Sequence, residues 1–310
     1  MISKLVIGTR GSKLALYQAN LVKSKLETAY PTLEVVINII KTKGDKILDI
    51  ALSKIGDKGF FTKEIQDALY KKEVDIAVHS LKDLPTELPK GTQLGAILER
   101  TNHRDVLVSI NGKKLTDFTS DDKIATSSLR RKSQLIQINK EVQVVEIRGN
   151  VDTRIRKMYN GHCQGMIMAA AGVERLGLQD HITEYLNETQ MLTAPGQGAI
   201  AIEIREEDNQ ILEVLSVLNH NESAICVKAE RSFLNRLEGG CQIPFAAHAT
   251  IKGDILTIEG MVATLDGRKM QREEIKGNIK DAIKLGIDLA DSIKKNGGRK
   301  ILEEVKRELS

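Results

Sequence analysis

The sequence predicts an α/β protein with two lobes on mostly parallel sheets and a smaller α+β domain at the C-terminal end. The first observation behind this is a repeated grammar over residues 1–194. A short β-branched apolar run meets a turn rich in Gly, Ser, Asn or Arg, and helical periodicity follows. The second is Ala199-Ile200-Ala201-Ile202-Glu203-Ile204, a buried-type strand that comes after a second complete set of such units. It is expected to rejoin the first sheet, so that the chain crosses between lobes twice and forms a hinge with a cleft. The third is a change of pattern after residue 222, from strand–turn–helix units to a helix, two strands joined by a Gly-Asp turn, and an amphipathic helix. The expected domains are 1–99 with 199–218, then 104–194, then 222–310.

In order, Leu5-Val6-Ile7 reads as a strand, and Ser12 is placed to cap a helix whose apolar positions include Leu14, Ala19, Val22 and Leu26. Pro31 breaks the chain before a strand over 33–40. Residues 45–59 show glycines and lysines without periodicity and read as a mobile basic loop. A helix over 62–70 leads into the buried strand 74–78, and Pro85 and Pro89 then stop regular structure. Another strand covers 94–98. In the second lobe, 105–109, 123–126, 142–147 and 166–170 read as strands. A helix opens at 127–131 and another carries Arg154 and Arg156. The last part has a helix over 225–237, strands over 246–251 and 255–263, and helices over 278–294 and 301–309.

Composition excludes several classes. Hydrophobic content of 41% and charged content of 28% are those of an ordinary globular chain. No apolar run approaches the ~18 residues that span a membrane, and residues 1–8 read as a strand rather than a signal peptide, so a cytoplasmic location is expected. Three scattered cysteines, Cys163, Cys226 and Cys241, make neither a disulfide framework nor a zinc-type pair. Eight of sixteen arginines fall between Arg100 and Arg175, which points to an anionic partner. Aromatic content of 3% leaves few stacking platforms for single-stranded nucleic acid, and bidentate holding of carboxylates is an equally good physical reading.

Lys82 and Asp83 follow a buried strand, where α/β sheets collect ligands. Two readings stand at this point: a solvated pair in a loop, or a cation that holds an anion beside a carboxylate that moves or stabilises a proton.

Several motifs occur together and in order: Thr9-Arg10-Gly11-Ser12-x-Leu14-Ala15-Leu16, Lys58-Gly59-x-Phe61, Val78-His79-Ser80-x-Lys82-Asp83, Thr126-Ser127-Ser128-Leu129-Arg130-Arg131, Ile147-Arg148-Gly149-Asn150, Ala194-Pro195-Gly196-Gln197-Gly198 and Glu238-Gly239-Gly240-Cys241. In this set the chain resembles the porphobilinogen deaminase (hydroxymethylbilane synthase) family over nearly its whole length. Asp57 is a small departure, at a position where the family often has Gly.

The resemblance implies two lobes like those of periplasmic binding proteins. It also implies a transferase of tetrapyrrole (porphyrin, heme) biosynthesis that joins four porphobilinogen molecules head to tail, loses ammonia at each step and releases hydroxymethylbilane with water. It implies a covalent dipyrromethane primer in thioether linkage to Cys241; glycines beside a helix end also give an open, exposed thiol there. The same resemblance assigns Ser80, Lys82, Ser128, Arg130, Arg131, Arg148, Gly149, Asn150, Arg154 and Gln197 to the primer and growing chain. It assigns Arg10, Ser12, Gly172 and Arg175 to the incoming substrate, and Lys54 and Lys58 to a lid loop. Asp83 becomes the catalytic carboxylate, accepting pyrrole N–H bonds as cationic charge develops and kept ionised by surrounding arginines. A monomer is expected.

Blander readings accompany these. Cys226 and Cys163 read as small buried hydrophobes, His79 as a hydrogen-bonded core histidine, Arg156 as a solvated helix charge, and Arg100 and Arg104 as pins at the crossing. His162 beside Cys163 has no third ligand at usable spacing, so no metal is expected. The competing classes are a non-catalytic anion-binding protein on the same hinge fold, which would not need Cys241, and a nucleic-acid-binding protein with strongly salt-dependent affinity.

Overall fold

The structure, a computed structural model, describes residues 2–46, 62–237 and 243–309. They fall into two compact units. The first takes in 2–46, 62–101 and 198–224; the second takes in 102–197, 225–237 and 243–309.

The first unit contains β1 (Lys4–Thr9), α1 (Lys13–Ala29), β2 (Glu34–Ile39), α2 (Lys43–Lys46), α3 (Lys63–Tyr70), β3 (Ile76–Ser80) and β4 (Thr92–Ile97). The second unit then supplies β5 (Asp105–Ser109), β6 (Lys123–Ala125), α4 (Leu129–Ile138), β7 (Gln143–Val145), α5 (Val151–Tyr159), β8 (Gly165–Ala169), α6 (Ala170–Glu174) and β9 (Ile182–Tyr185). The chain returns to the first unit with β10 (Ile200–Arg205) and α7 (Asn209–Leu215). From Ile225, within α8 (Asn221–Arg236), onward it belongs to the second unit, with β11 (Phe245–Lys252), β12 (Ile255–Ala263), β13 (Met270–Asn278), α9 (Ala282–Ile293) and α10 (Arg299–Leu309).

The first sheet has the order β2-β1-β3-β10-β4. β1 pairs parallel with β2 and β3, while β10 runs antiparallel between β3 and β4. Residues 199–204 therefore rejoin the first sheet as expected, but in reverse. Alternation along the strands feeds two layers. Leu5, Ile7, Ile76, Val78, Ile200, Ile202 and Ile204 pack with Ala19, Val22 and Leu26 of α1. Val6 and Ala77 turn the other way, toward Ile65 and Leu69 of α3. Glu203 also points away from the α1 layer and is fully buried. It accepts from Gln66 Nε2 (3.0 Å) and Thr92 Oγ1 (2.8 Å), and His79 Nε2 lies 3.1 Å away. These partners compensate a carboxylate that would otherwise be costly inside a sheet.

The second unit repeats the pattern with the order β7-β6-β8-β5-β9. Here β6 is parallel to β7 and β8, and β5 is the reversed strand. In each five-stranded sheet the reversed strand is the one that follows a crossing, β5 after the first and β10 after the second. Val106, Val108, Met166 and Met168 pack on Ile155 and Met158 of α5, while Leu107, Ile124 and Ile167 pack on Leu135 of α4.

A three-stranded antiparallel sheet, β11-β12-β13, carries α8, α9 and α10 around Phe233, Leu289, Ile293 and Val305. β13, the edge strand MQREEIKGN, was not expected from the sequence; nor were β9 and α7. Lys43–Lys46 is helical, so the segment expected as loop from residue 45 begins with the end of a helical turn. Residues 47–59 of that expected loop lie outside the described residues.

The β12–β13 turn braces α4. Gln137 Nε2 donates to the Gly267 carbonyl, and Gly267 has φ +69°. A Cβ at Gly267 would overlap the Ser133 carbonyl oxygen, a backbone atom that cannot rotate away. Gly267→Ala is expected to lower stability by about 1–3 kcal/mol, read from the midpoint of denaturant unfolding. An unchanged midpoint would mean that the turn shifts freely off α4.

Candidate functional site

In the first unit the candidate side chains stand where neighbouring parallel strands end. Gly8 of β1 is in register with Ala77 of β3, so Arg10 and Ser12 leave the sheet beside Ser80, Lys82 and Asp83. Ser12 caps α1, its Oγ accepting from Ala15 N at 3.3 Å. Gln18, buried on α1, donates to Ser80 Oγ at 2.8 Å and joins the helix to the end of β3. Leu81–Asp83 form a 3₁₀ turn held by Leu84 N on Leu81 O and by Leu81 N on Ala199 O. Leu81 is buried, whereas Lys82 and Asp83 are exposed. Among the described residues, Asp83 makes no side-chain hydrogen bond or ion pair. The turn thus fixes the backbone of a carboxylate whose oxygens remain open to a ligand.

The second unit has a corresponding edge. Ser128 caps α4 after β6, accepting from Arg131 N at 3.4 Å. Ser127 Oγ donates to Ile147 O at 2.7 Å, tying the end of β6 to the turn after β7. That turn is Arg148-Gly149-Asn150, with Gly149 at φ +115° and Asn150 at the N-cap position of α5. Arg154 Nε donates back to Gly149 O at 2.7 Å. Arg148 Nε is buried with no hydrogen-bond partner among the described residues. Gly172 lies within α6 after β8, and Arg175 is its C-cap residue.

Arg130 and Arg131 differ from the picture of two cations reaching out to a ligand. Both are more than nine-tenths buried, and Asp105 at the start of β5 is fully buried. Arg131 donates from Nε (3.1 Å) and Nη2 (2.7 Å) to Asp105 Oδ1, and from Nη1 to Ile167 O (3.0 Å). Arg130 Nη1 lies 2.7 Å from Asp105 Oδ2 and donates to Leu192 O at 2.7 Å. Gln197, fully buried, donates to Asp105 Oδ1 (2.9 Å) and to His103 O (2.7 Å). Burial alone would raise the Asp105 pKa, but the two guanidiniums overcome it and hold the carboxyl well below the usual carboxylate range. Asp105 therefore stays ionised wherever ordinary carboxylates do. Sequence reading missed Asp105 and Gln18. The one available signal for Asp105 was a charge opening an otherwise apolar strand.

The remaining chemistry-bearing residues sort by burial. Cys163 is fully buried and its thiol is pushed up to about 11 by desolvation; Cys226 is buried too, and neither is in a disulfide among the described residues. His79 is a core histidine against Glu203, and Arg156 is exposed. Arg104 lies 4.6 Å from the centre of the Tyr185 ring, bonded to Asn102. His162 bonds Glu146 O, not a neighbouring ligand group. One His/Glu cluster was not foreseen: His103 Nε2 lies 2.6 Å from Glu188 Oε1, and the His103 and His248 rings stack at 3.8 Å with planes 17° apart. Near-parallel rings direct their in-plane lone pairs side by side rather than toward one ion. Cys241, Lys54 and Lys58 lie outside the described residues.

The comparisons with known proteins bear on these edges. Residues 5–213 match the family model described as porphobilinogen deaminase, dipyromethane cofactor binding domain, and residues 224–295 match porphobilinogen deaminase, C-terminal domain. The chain belongs to the porphobilinogen deaminase family. Among its relatives, the porphobilinogen deaminase of Geobacter sulfurreducens is 48% identical over 100% of this chain and 97% of that one. The porphobilinogen deaminase of Desulforamulus reducens is 46% identical over 99% of each chain. Among solved structures, the methionine binding protein MetQ is similar with a TM-score of 0.45 and 11% identity, over 70% of this chain and 88% of that chain. The porphobilinogen deaminase cofactor-binding match covers the strand-end turns of both five-stranded sheets.

Proposed function

We propose that this chain condenses four porphobilinogen molecules head to tail onto a dipyrromethane primer held by a thioether to Cys241, losing ammonia each time and releasing hydroxymethylbilane with water. What supports this most is the family match over residues 5–213 and 224–295, which spans every strand end that carries a candidate side chain. Porphobilinogen bears an acetate and a propionate, so a growing chain accumulates carboxylates. The second unit suits that charge: Arg148 has an unpartnered buried Nε among the described residues, and Ser128 and Asn150 stand at helix starts. When bound, the primer supplies the pyrrole carbon on which the chain grows.

In this reading Ser80, Lys82, Ser128, Arg130, Arg148, Gly149, Asn150 and Arg154 hold the primer and product chain, and Arg131 and Gln197 serve it from within, through Asp105. Arg10, Ser12, Gly172 and Arg175 hold the incoming acetate and propionate, and Lys54 and Lys58 belong to a lid. Asp83 accepts the pyrrole N–H of the substrate and stabilises the cationic charge that loss of ammonia places on the ring. It is also placed to take the ring-carbon proton after coupling. We read three domains, 1–99 with 199–218, 104–194 and 222–310; that there are three sheets with separate buried clusters supports this reading. We read the enzyme as a cytoplasmic monomer without nucleic-acid or membrane partners; no helix among the described residues is long and apolar enough to cross a membrane.

The test is direct. Purified protein incubated with porphobilinogen is expected to release one ammonia per porphobilinogen consumed and to accumulate a linear tetrapyrrole. Binding of porphobilinogen without ammonia release would favour the non-catalytic anion-binding alternative.

A further inference from the structure

The neighbouring arginines Arg130 and Arg131 are not equivalent. Every guanidinium nitrogen of Arg131 donates within the chain, to Asp105 and to Ile167 O. Arg130 uses only Nη1, toward Asp105 and Leu192 O. Among the described residues its Nε and Nη2 make no hydrogen bond, and neither is a buried unsatisfied atom, so this edge reaches the surface of an otherwise buried side chain. An Nε/Nη2 edge is the geometry that grips a carboxylate with two parallel bonds. Arg130 Nη1 is held between its ion-pair partner Asp105 Oδ2 and the Leu192 carbonyl, and the other Asp105 oxygen is fixed by Arg131 and by Gln197 of the returning chain segment.

We propose that Asp105 is a positioning residue: with Arg131 and Gln197 as its supports, it aims the free edge of Arg130 at one carboxylate of the bound pyrrole chain. This rests on the function proposed above, and it divides the arginine pair into one anion-gripping member and one internal brace. The arrangement has two further physical supports. Two guanidiniums against a single carboxylate leave one positive charge in a nine-tenths buried setting, which an incoming carboxylate neutralises. Asp105 Cα is also paired with Ala169 at the end of β8, so the anchor stands on the same sheet edge as Ser128 and Gly172.

The experiment uses full-length protein freed of primer and follows the rate at which porphobilinogen restores it, by intact mass. Asp105→Glu keeps the charge but moves the carboxylate by one methylene. It is expected to fold with a normal circular-dichroism spectrum and to acquire primer about tenfold more slowly. Arg130→Lys, which loses the two-pronged edge, is expected to show a similar defect. The double variant is expected to be no worse than either alone, because both changes act through one contact. Asp105→Glu reloading at the wild-type rate, or defects that multiply in the double variant, would overturn the proposal. Wild-type protein that acquires no primer at all would instead contradict the function itself. Asp105→Asn leaves two buried cations unpaired; should it fail to fold, the charge-conserving pair still decides.

Discussion

Asp83→Asn is expected to fold like the parent protein and to lose about 10²–10³ in kcat, the range for removing one preorganised charge from a developing transition state. Two structural facts separate this from a stability effect. Asp83 is exposed, and among the described residues its carboxylate has no hydrogen bond or ion pair that the substitution would orphan. Its backbone is held by Leu81 and Leu84, which the substitution does not touch. Unfolding free energy should therefore stay within about 0.5 kcal/mol of the parent. The amide keeps the shape and one acceptor oxygen but not the charge, so kcat and kcat/KM should fall together. A kcat within a factor of two or three of the parent would remove Asp83 from the mechanism.

Cys241→Ala is expected to abolish turnover, because in the proposed function the primer is attached to that thiol. The comparison that gives this meaning is Cys226→Ala. Cys226 is buried in α8. Cys163 is fully buried, and its thiol stays protonated near neutrality. Cys226→Ala is therefore expected to keep both primer and activity, with at most a modest loss of stability from the small cavity. Retention of primer by Cys241→Ala, or its loss in Cys226→Ala, would move the attachment point.

Much of this was legible in local patterns. Ser12 caps its helix as read, and Ser128 caps the helix that was expected to open at 127–131, because a cap is a relation across three residues. The return of residues 199–204 to the first sheet was legible from chain order alone. Its reversed direction was not, since strand direction is set by which neighbour it pairs with. β13 escaped because an edge strand with one half-solvated face carries so many charges that it reads as loop. The Asp105–Arg130–Arg131 group escaped for another reason: Asp105 lies about 25 residues before the arginine pair, and only the pairing of β5 beside β8 places the carboxylate under α4. The His103–Glu188–His248 cluster likewise draws on three distant segments. Arginine clustering pointed to an anionic partner, but sequence alone could not separate Arg131, whose nitrogens are all committed within the chain, from Arg130, which keeps an edge uncommitted among the described residues.

The measurement that bears most directly on the account is the intact mass of the purified protein, before and after incubation with porphobilinogen, with peptide mapping around Cys241. The account predicts an added mass of two linked pyrrole units on the peptide that contains Cys241, either present at purification or acquired on incubation. A Cys241 peptide that remains unmodified after incubation would contradict the covalent primer, and with it the reading of this chain as a chain-elongating deaminase.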